Sequence, residues 1–501
     1  MGLAIKMNAR RVMLSCGLGG AALAFAIVSG CGPKVPAAPA VAFDRTVAPE
    51  PLATRPFALP EVQETTLSNG LRVLLVESHE VPLVYVRVVF DQGSWTDPEG
   101  QRGLAGVTME MLKEGAGDRS AEELSSALRA LASSMSTGAG LDSAEISVRS
   151  LKKNLESTLD LMADVLFQPA FSEDGWEVMQ QRKIQDLAAA RDNPRSISSR
   201  VWERTIYGET YAGRLRTEAG YQQMNIDQMK TWKNSHLLPQ NAIVLVGGDT
   251  TLDTIKPMLE KRLGGWVADP VESAAAPDVS ALPAHDQTIL YLVDKPGAPQ
   301  TVIRGGIQIG DRTDEDWPAL VLANRAIGGQ FTARINLNLR EDKGWTYGAR
   351  SYISHNQLPG YWVVSTSVVT EHTAASMREI LAEVKGAASD RPLTKAELDA
   401  ARNGLLGTWP LSFENPGYIL GERKSMWRYD LPQDWLTGYP DRIREVNLEQ
   451  SQQAWNQHID AEKLVFVLVG DAATIGPGLE ELGLAIVHLD VDGNPLESEG
   501  E

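Results

Sequence analysis

Seven histidines are spread along the chain: His79, His236, His285, His355, His372, His458 and His488. A zinc site on a helix wants two of them four apart, and a loop site wants them within a few residues of each other. No two stand at either spacing. The two cysteines, Cys16 and Cys31, both fall within the first 31 residues. Beyond them the chain offers no disulfide, no Cys-ligated zinc and no thiol nucleophile. No Gly-x-Ser-x-Gly elbow presents a serine. The pairs Gly247-Gly248 and Gly305-Gly306 lack a phosphate-loop context and read as turns or close backbone approaches. The residue types alone therefore assemble no complete catalytic set.

The elements that would position a site repeat. The first half carries an alternating strand over Val84 to Phe90, an Asp/Gly turn, and a helix from about Gly103 to Glu114. A helix over Ala121 to Leu131, a strand over Ala144 to Val148 and a long amphipathic helix from about Leu151 to Leu166 follow. It closes on the apolar run Asn241 to Asp249. The second half has a strand over Val302 to Ile307, a turn marked by Asp311, Asp314 and Asp316, and helices over Pro318 to Ile327 and Arg334 to Arg340. Then come a strand over Tyr361 to Ser367, a helix over Thr373 to Lys385 and the closing run Lys463 to Asp471. Both closing runs are wholly apolar and end in Gly-Asp, as a buried strand before a turn does. With a Pro/Ala-rich linker over 269–285 between the halves, duplication explains the order.

The N-terminus reads as an export signal. Lys6, Arg10 and Arg11 precede an apolar stretch, Val12 to Val28, that ends in Val28-Ser29-Gly30-Cys31. Residues 1–31 are then a signal peptide with a lipobox, Cys31 the lipidated residue, and 32–58 a Pro/Ala-rich tether. Net charge is −18, so the chain repels nucleic-acid backbones and no nucleic-acid partner is expected. Its hydrophobic fraction of 43% is that of a globular body.

Four phrases carry a family likeness: Leu67-Ser68-Asn69-Gly70-Leu71-Arg72-Val73, Gly103-Leu104-Ala105, Gly328 to Arg334, and Leu339 to Tyr347. Through them the chain resembles the insulinase-like (pitrilysin, M16) metallopeptidase family from about Leu59 to Val491. The resemblance implies an α+β fold of two homologous M16-type halves, each an antiparallel-rich sheet packed with helices, together forming a clamshell chamber for peptides. It divides the chain into an N-terminal M16-like domain over 59–268, a C-terminal one over 286–491 and an acidic tail over 492–501.

The resemblance also says where a zinc site belongs. Active relatives carry His-x-x-Glu-His on the helix after Gly-Leu-Ala. Two His four apart share one helical face and one metal, and the Glu serves as base. Here the first His position is Gly106, the base position Met109 and the second His position Glu110. Gln185 and Asp186 stand where the third ligand would be. The expectation is that this chain binds no metal itself.

The family's other half-site is present. Arg340 and Tyr347 match an Arg/Tyr pair that, in relatives, lies across the chamber from the zinc. A phenol O–H can donate to the charge that builds on a carbonyl oxygen, and a guanidinium can orient the substrate backbone. Some bacterial relatives divide the labour between a zinc chain and a chain of this kind. The expected protein is the non-zinc subunit of a heteromeric zinc metallopeptidase acting on peptides, with zinc in a partner M16 chain. It would be lipid-anchored in the bacterial cell envelope, at the outer membrane. The alternative is a non-catalytic scaffold or peptide-binding lipoprotein of the same fold.

Overall fold

The closing run of the first half is the centre of a sheet. In the computed structural model, which describes residues 58–268, 282–354 and 358–496, strand β6 (Ala242–Gly248) is buried along its whole length. It lies between β2 (Arg72–Glu77), to which it is parallel, and β3 (Leu83–Phe90), to which it is antiparallel. With β1 (Gln63–Thr66), β4 (Ser134–Ala139) and β5 (Ala144–Leu151) the order is β1-β2-β6-β3-β5-β4. A strand with neighbours on both edges and cover on both faces needs no polar side chain, hence the unbroken apolar run.

The second half repeats this plan. Its strands are β7 (Ile289–Asp294), β8 (Gln300–Gln308), β9 (Thr346–Ser354), β10 (Tyr361–Val369), β11 (Val465–Gly470) and β12 (Ala485–Leu489), ordered β12-β7-β11-β8-β10-β9. Strands β7 to β11 take the places of β2 to β6. The halves differ only at one edge, where β1 precedes the unit in the first half and β12 follows it in the second. Gly305 and Gly306 lie inside β8. A Cβ on Gly305 would fall 1.9 Å from the Phe466 ring, and one on Gly306 1.9 Å from the Trp362 carbonyl oxygen. Both are close approaches, not turns.

One face of each sheet is covered by its own helices. In the first half these include α1 (Leu104–Met111), α2 (Ala121–Ala130) and α3 (Leu155–Phe167), packed over Val73, Val86, Ile146 and Val244. The other faces are covered by exchange. After α4 (Glu173–Asp192), helix α5 (Pro194–Tyr207) leaves the first half and packs Ile197, Val201, Trp202 and Ile206 onto Val302, Val363, Val465 and Val467 of the second sheet. In return, Ile419 and Leu420 of the helix Pro416–Arg428, with Phe413 before it, cover Leu74, Val89, Ile243 and Leu245 of the first sheet. Each sheet is sealed by a helix from the other half, and both halves belong to one compact unit.

Some expectations change in detail. The helix expected over Arg334 to Arg340 is a single α turn, Arg334–Asn336, followed by a π-helical stretch, Leu337–Asp342. The acidic tail is expected from residue 492. Residues 492–496 fold back, with Asp492 accepting from Arg200 at 2.8 Å and the Leu496 N–H bonding the His488 carbonyl at 2.9 Å. The signal and tether (residues 1–57, with Cys16 and Cys31), residues 269–281 of the linker, His355 and residues 497–501 lie outside the described residues. Among the described residues, no helix is long and apolar enough to cross a membrane.

Candidate functional site

Helix α1 is capped by Gly103, whose φ of +108° suits a residue without a Cβ. Its first turn is held by Asp97, which accepts from the Gly103 and Ala105 N–H groups, both at 2.7 Å. A carboxylate here satisfies two orphan donors and faces the positive end of the helix. Burial nevertheless pushes its carboxyl up to about 6, against the two N–H groups and Arg102. Burial likewise lowers Arg102 from its ordinary value, and raises the Tyr221 phenol.

The positions four apart, Gly106 and Glu110, share the part-exposed face of α1, while Met109 is wholly buried in the core. A Cβ on Gly106 would meet nothing within 4 Å. Glu110 is engaged: Lys183 Nζ is 2.6 Å from one carboxylate oxygen, and Arg182 is 3.5 Å from the other. Asp186, one turn beyond Lys183 on α4, is exposed and lines a cavity of about 550 Å³ with Lys183 and Tyr221. Zinc does not fit these residues. A dication needs about three ligands with lone pairs; this face supplies one carboxylate, already held by an ammonium and a guanidinium.

The C-terminal candidates are Arg340, in the π-helical stretch, and Tyr347, the second residue of β9. The chain reverses at Gly344 (φ +68°), whose N–H returns to the Arg340 carbonyl at 3.1 Å. The β9–β10 register then slips. Thr346 pairs with Val368 and Ala349 with Thr366, so Tyr347 and Gly348 together oppose Ser367. This bulge sits on an edge strand, because β9 pairs only with β10. Bulges re-aim side chains, and Tyr347 is 91% exposed. The Arg340 guanidinium lies 4.6 Å over the Phe331 ring, with its Nε 3.3 Å from Glu341.

Sequence spacing hid two groupings. Among the described residues, Asp314, Asp316 and His458 have ligand atoms within 4.8 Å of one another, and His458 Nε2 is 2.9 Å from Asp316. His458 is 142 residues from Asp316, and the packing of the helix Leu448–His458 on the helix Trp317–Asn324 brings them together. Lys183 as the partner of Glu110 was also missed. A basic residue facing the degenerate motif from the downstream helix was the available signal.

The model for insulinase (peptidase family M16) matches residues 72–217, and that for the peptidase M16 inactive domain matches residues 223–405. The chain belongs to the insulinase (M16) family. An uncharacterized zinc protease of Streptomyces coelicolor is 23% identical to this M16 chain over 399 residues, 77% of this chain and 86% of the relative. A protein of Helicobacter pylori named a non-peptidase homolog is 21% identical over 414 residues, covering 80% and 91%. The crystal structure of a peptidase M16 inactive domain from Pseudomonas fluorescens superposes with a TM-score of 0.74 at 24% identity, covering 82% of this chain and 98% of that one. That likeness shows a shared fold.

Proposed function

We propose that this M16 chain is the non-zinc subunit of a heteromeric zinc metallopeptidase that cleaves peptides in the cell envelope. The observation that carries the reading is an asymmetry between its two half-sites. The α1 face lacks a metal-ligand set and closes its one carboxylate on an internal ion pair, whereas Tyr347 is bulged outward and 91% exposed. An aromatic ring so little packed does nothing for this chain's own core. Its use lies with something that arrives.

In the assembled enzyme the partner M16 chain brings the zinc and the general base. This chain supplies the Tyr347 phenol as a donor toward the carbonyl oxygen on which charge develops, and the Arg340 guanidinium as an orienting cation. Stacking on Phe331 limits the arcs the guanidinium can sweep, which lowers the entropy lost when it docks. The chain is held at the membrane through a lipid on Cys31.

Replacing both residues, Arg340→Ala with Tyr347→Phe, tests the proposal in the assembled pair. Peptide turnover should collapse while assembly persists. Unchanged turnover would sink it. The second reading, a scaffold or peptide-binding lipoprotein, draws on the relative named a non-peptidase homolog. It predicts peptide capture without hydrolysis in any preparation.

A further inference from the structure

Beside the degenerate zinc face lie two adjoining cavities whose charge runs against that of the chain. The smaller, about 330 Å³, is lined by Arg102, Arg200, Arg214 and Arg216, with Glu203 the only acid among its described lining residues. Tyr207, Leu141 and Tyr361 give it an apolar wall, the last contributed by the second half. The larger, about 550 Å³, shares Arg200, Glu203 and Arg216 and adds Lys183 and Arg195 against Asp186. Taken together, the described residues of the lining include six basic and two acidic side chains, in a chain of net charge −18.

Three of the six cations stand in ion pairs, and Arg102, Arg200 and Arg216 also act on Glu203. Arg200 reaches Asp492 at 2.8 Å, Lys183 reaches Glu110 at 2.6 Å, and Arg102 stands 3.9 Å from Asp97. Among the described residues, Arg195, Arg214 and Arg216 have no carboxylate within 4.0 Å. The Nε of Arg200 is buried without a hydrogen-bond partner. Cations gathered in a walled recess focus the potential there and raise the local concentration of anions. Arg216 also borders α1: a Cβ on Gly103 would lie 3.5 Å from its Cδ.

From this lining we infer that the paired cavities bind an acidic peptide segment, its Glu or Asp carboxylates held by Arg214, Arg216 and Arg200. Guanidinium forks match carboxylates and phosphates alike. Two cavities joined by shared walls, with apolar surface between the cations, suit an extended chain better than a lone ion. The inference rests on the M16 reading only for the ligand being a peptide. It needs neither the partner nor its zinc, so a binding test on this chain alone fails or succeeds independently of the half-enzyme proposal.

The experiment uses the full chain in detergent and fluorescence anisotropy with a labelled ten-residue peptide containing four Glu, and its counterpart with Gln at those positions. The variant is Arg214→Glu with Arg216→Glu. The control is Lys153→Glu with Lys230→Glu, the same charge change on exposed residues elsewhere, and circular dichroism checks the fold of each. The Glu peptide should bind about tenfold tighter than the Gln peptide, more weakly as salt rises, and about tenfold weaker to the arginine variant than to the control. Equal binding of the two peptides, or equal loss in both variants, overturns the proposal. If free glutamate or inorganic phosphate competes as well as the unlabelled peptide, the site holds a small anion and the peptide assignment is wrong.

Discussion

Tyr347 touches little of its own chain, so Tyr347→Phe should leave folding unchanged, within about 0.5 kcal/mol. In the assembled pair it should lower kcat by about 10²-fold with KM nearly constant, the pattern for a donor used only as charge develops. Steady-state kinetics beside a thermal melt separates the two. Asp97 supplies a second prediction. Its folded-state value, about 6, lies above the ordinary 3.8, so the folded chain holds this proton more tightly. That contribution is whole below the unfolded value and is lost as pH rises through the folded one. Relative to Asp97→Asn, the native chain should lose roughly 3 kcal/mol between about pH 4 and pH 7, at about 1.4 kcal/mol per unit. Urea unfolding at a series of pH values reads this; parallel curves for the two proteins would contradict it. At this scale the chemistry of Gly106, Met109 and Glu110 was plain from residue type. The Lys183–Glu110 pair was not, because 73 residues separate its members and only the packing of α4 on α1 joins them.

Among the elements, six of the twelve described strands were legible; β1, β2, β4, β7, β9, β12 and the exchanged helices were not. Strands β3, β5, β6, β8, β10 and β11 announce themselves by alternation or by unbroken apolar runs. Helix α5 carries an apolar face too, but amphipathic periodicity states only that a face is buried, never against which sheet. That its target is the second sheet follows from tertiary packing alone, as does the return of the helix Pro416–Arg428. The π-helical stretch before Tyr347 and the bulge at Tyr347 and Gly348 were equally hidden, since both are departures from period. Trp202, wholly buried on α5 and edge-on to Tyr361 at 5.7 Å, tests the exchange. Trp202→Ala should cost about 3–5 kcal/mol. Its signature is non-local: amide exchange should accelerate in β11, more than 250 residues away in sequence. Acceleration confined to the first half would argue against the exchange as a stabilising device.

For the whole molecule, the two halves form one compact unit, and its interest lies in what it leaves undone. It has a degenerate metal face, a tyrosine turned outward and a basic recess in a chain of net charge −18. The duplicated plan and the missing ligands were readable from the sequence. The recess was not, because its arginines come from three separate segments that only the fold gathers. The proposed lipid on Cys31 makes a direct prediction here: Cys31→Ser should move the chain from the membrane to the soluble fraction on cell fractionation. An unchanged distribution would remove the anchor. The central claim is tested most directly by purifying the tagged chain from its native membranes and assaying peptide hydrolysis with and without a chelator, beside the recombinant chain alone. The account predicts a native eluate that is active, chelator-sensitive and contains a second M16 chain bearing the zinc motif, with the lone chain inert. A lone chain that cleaves peptides and holds stoichiometric zinc would contradict it.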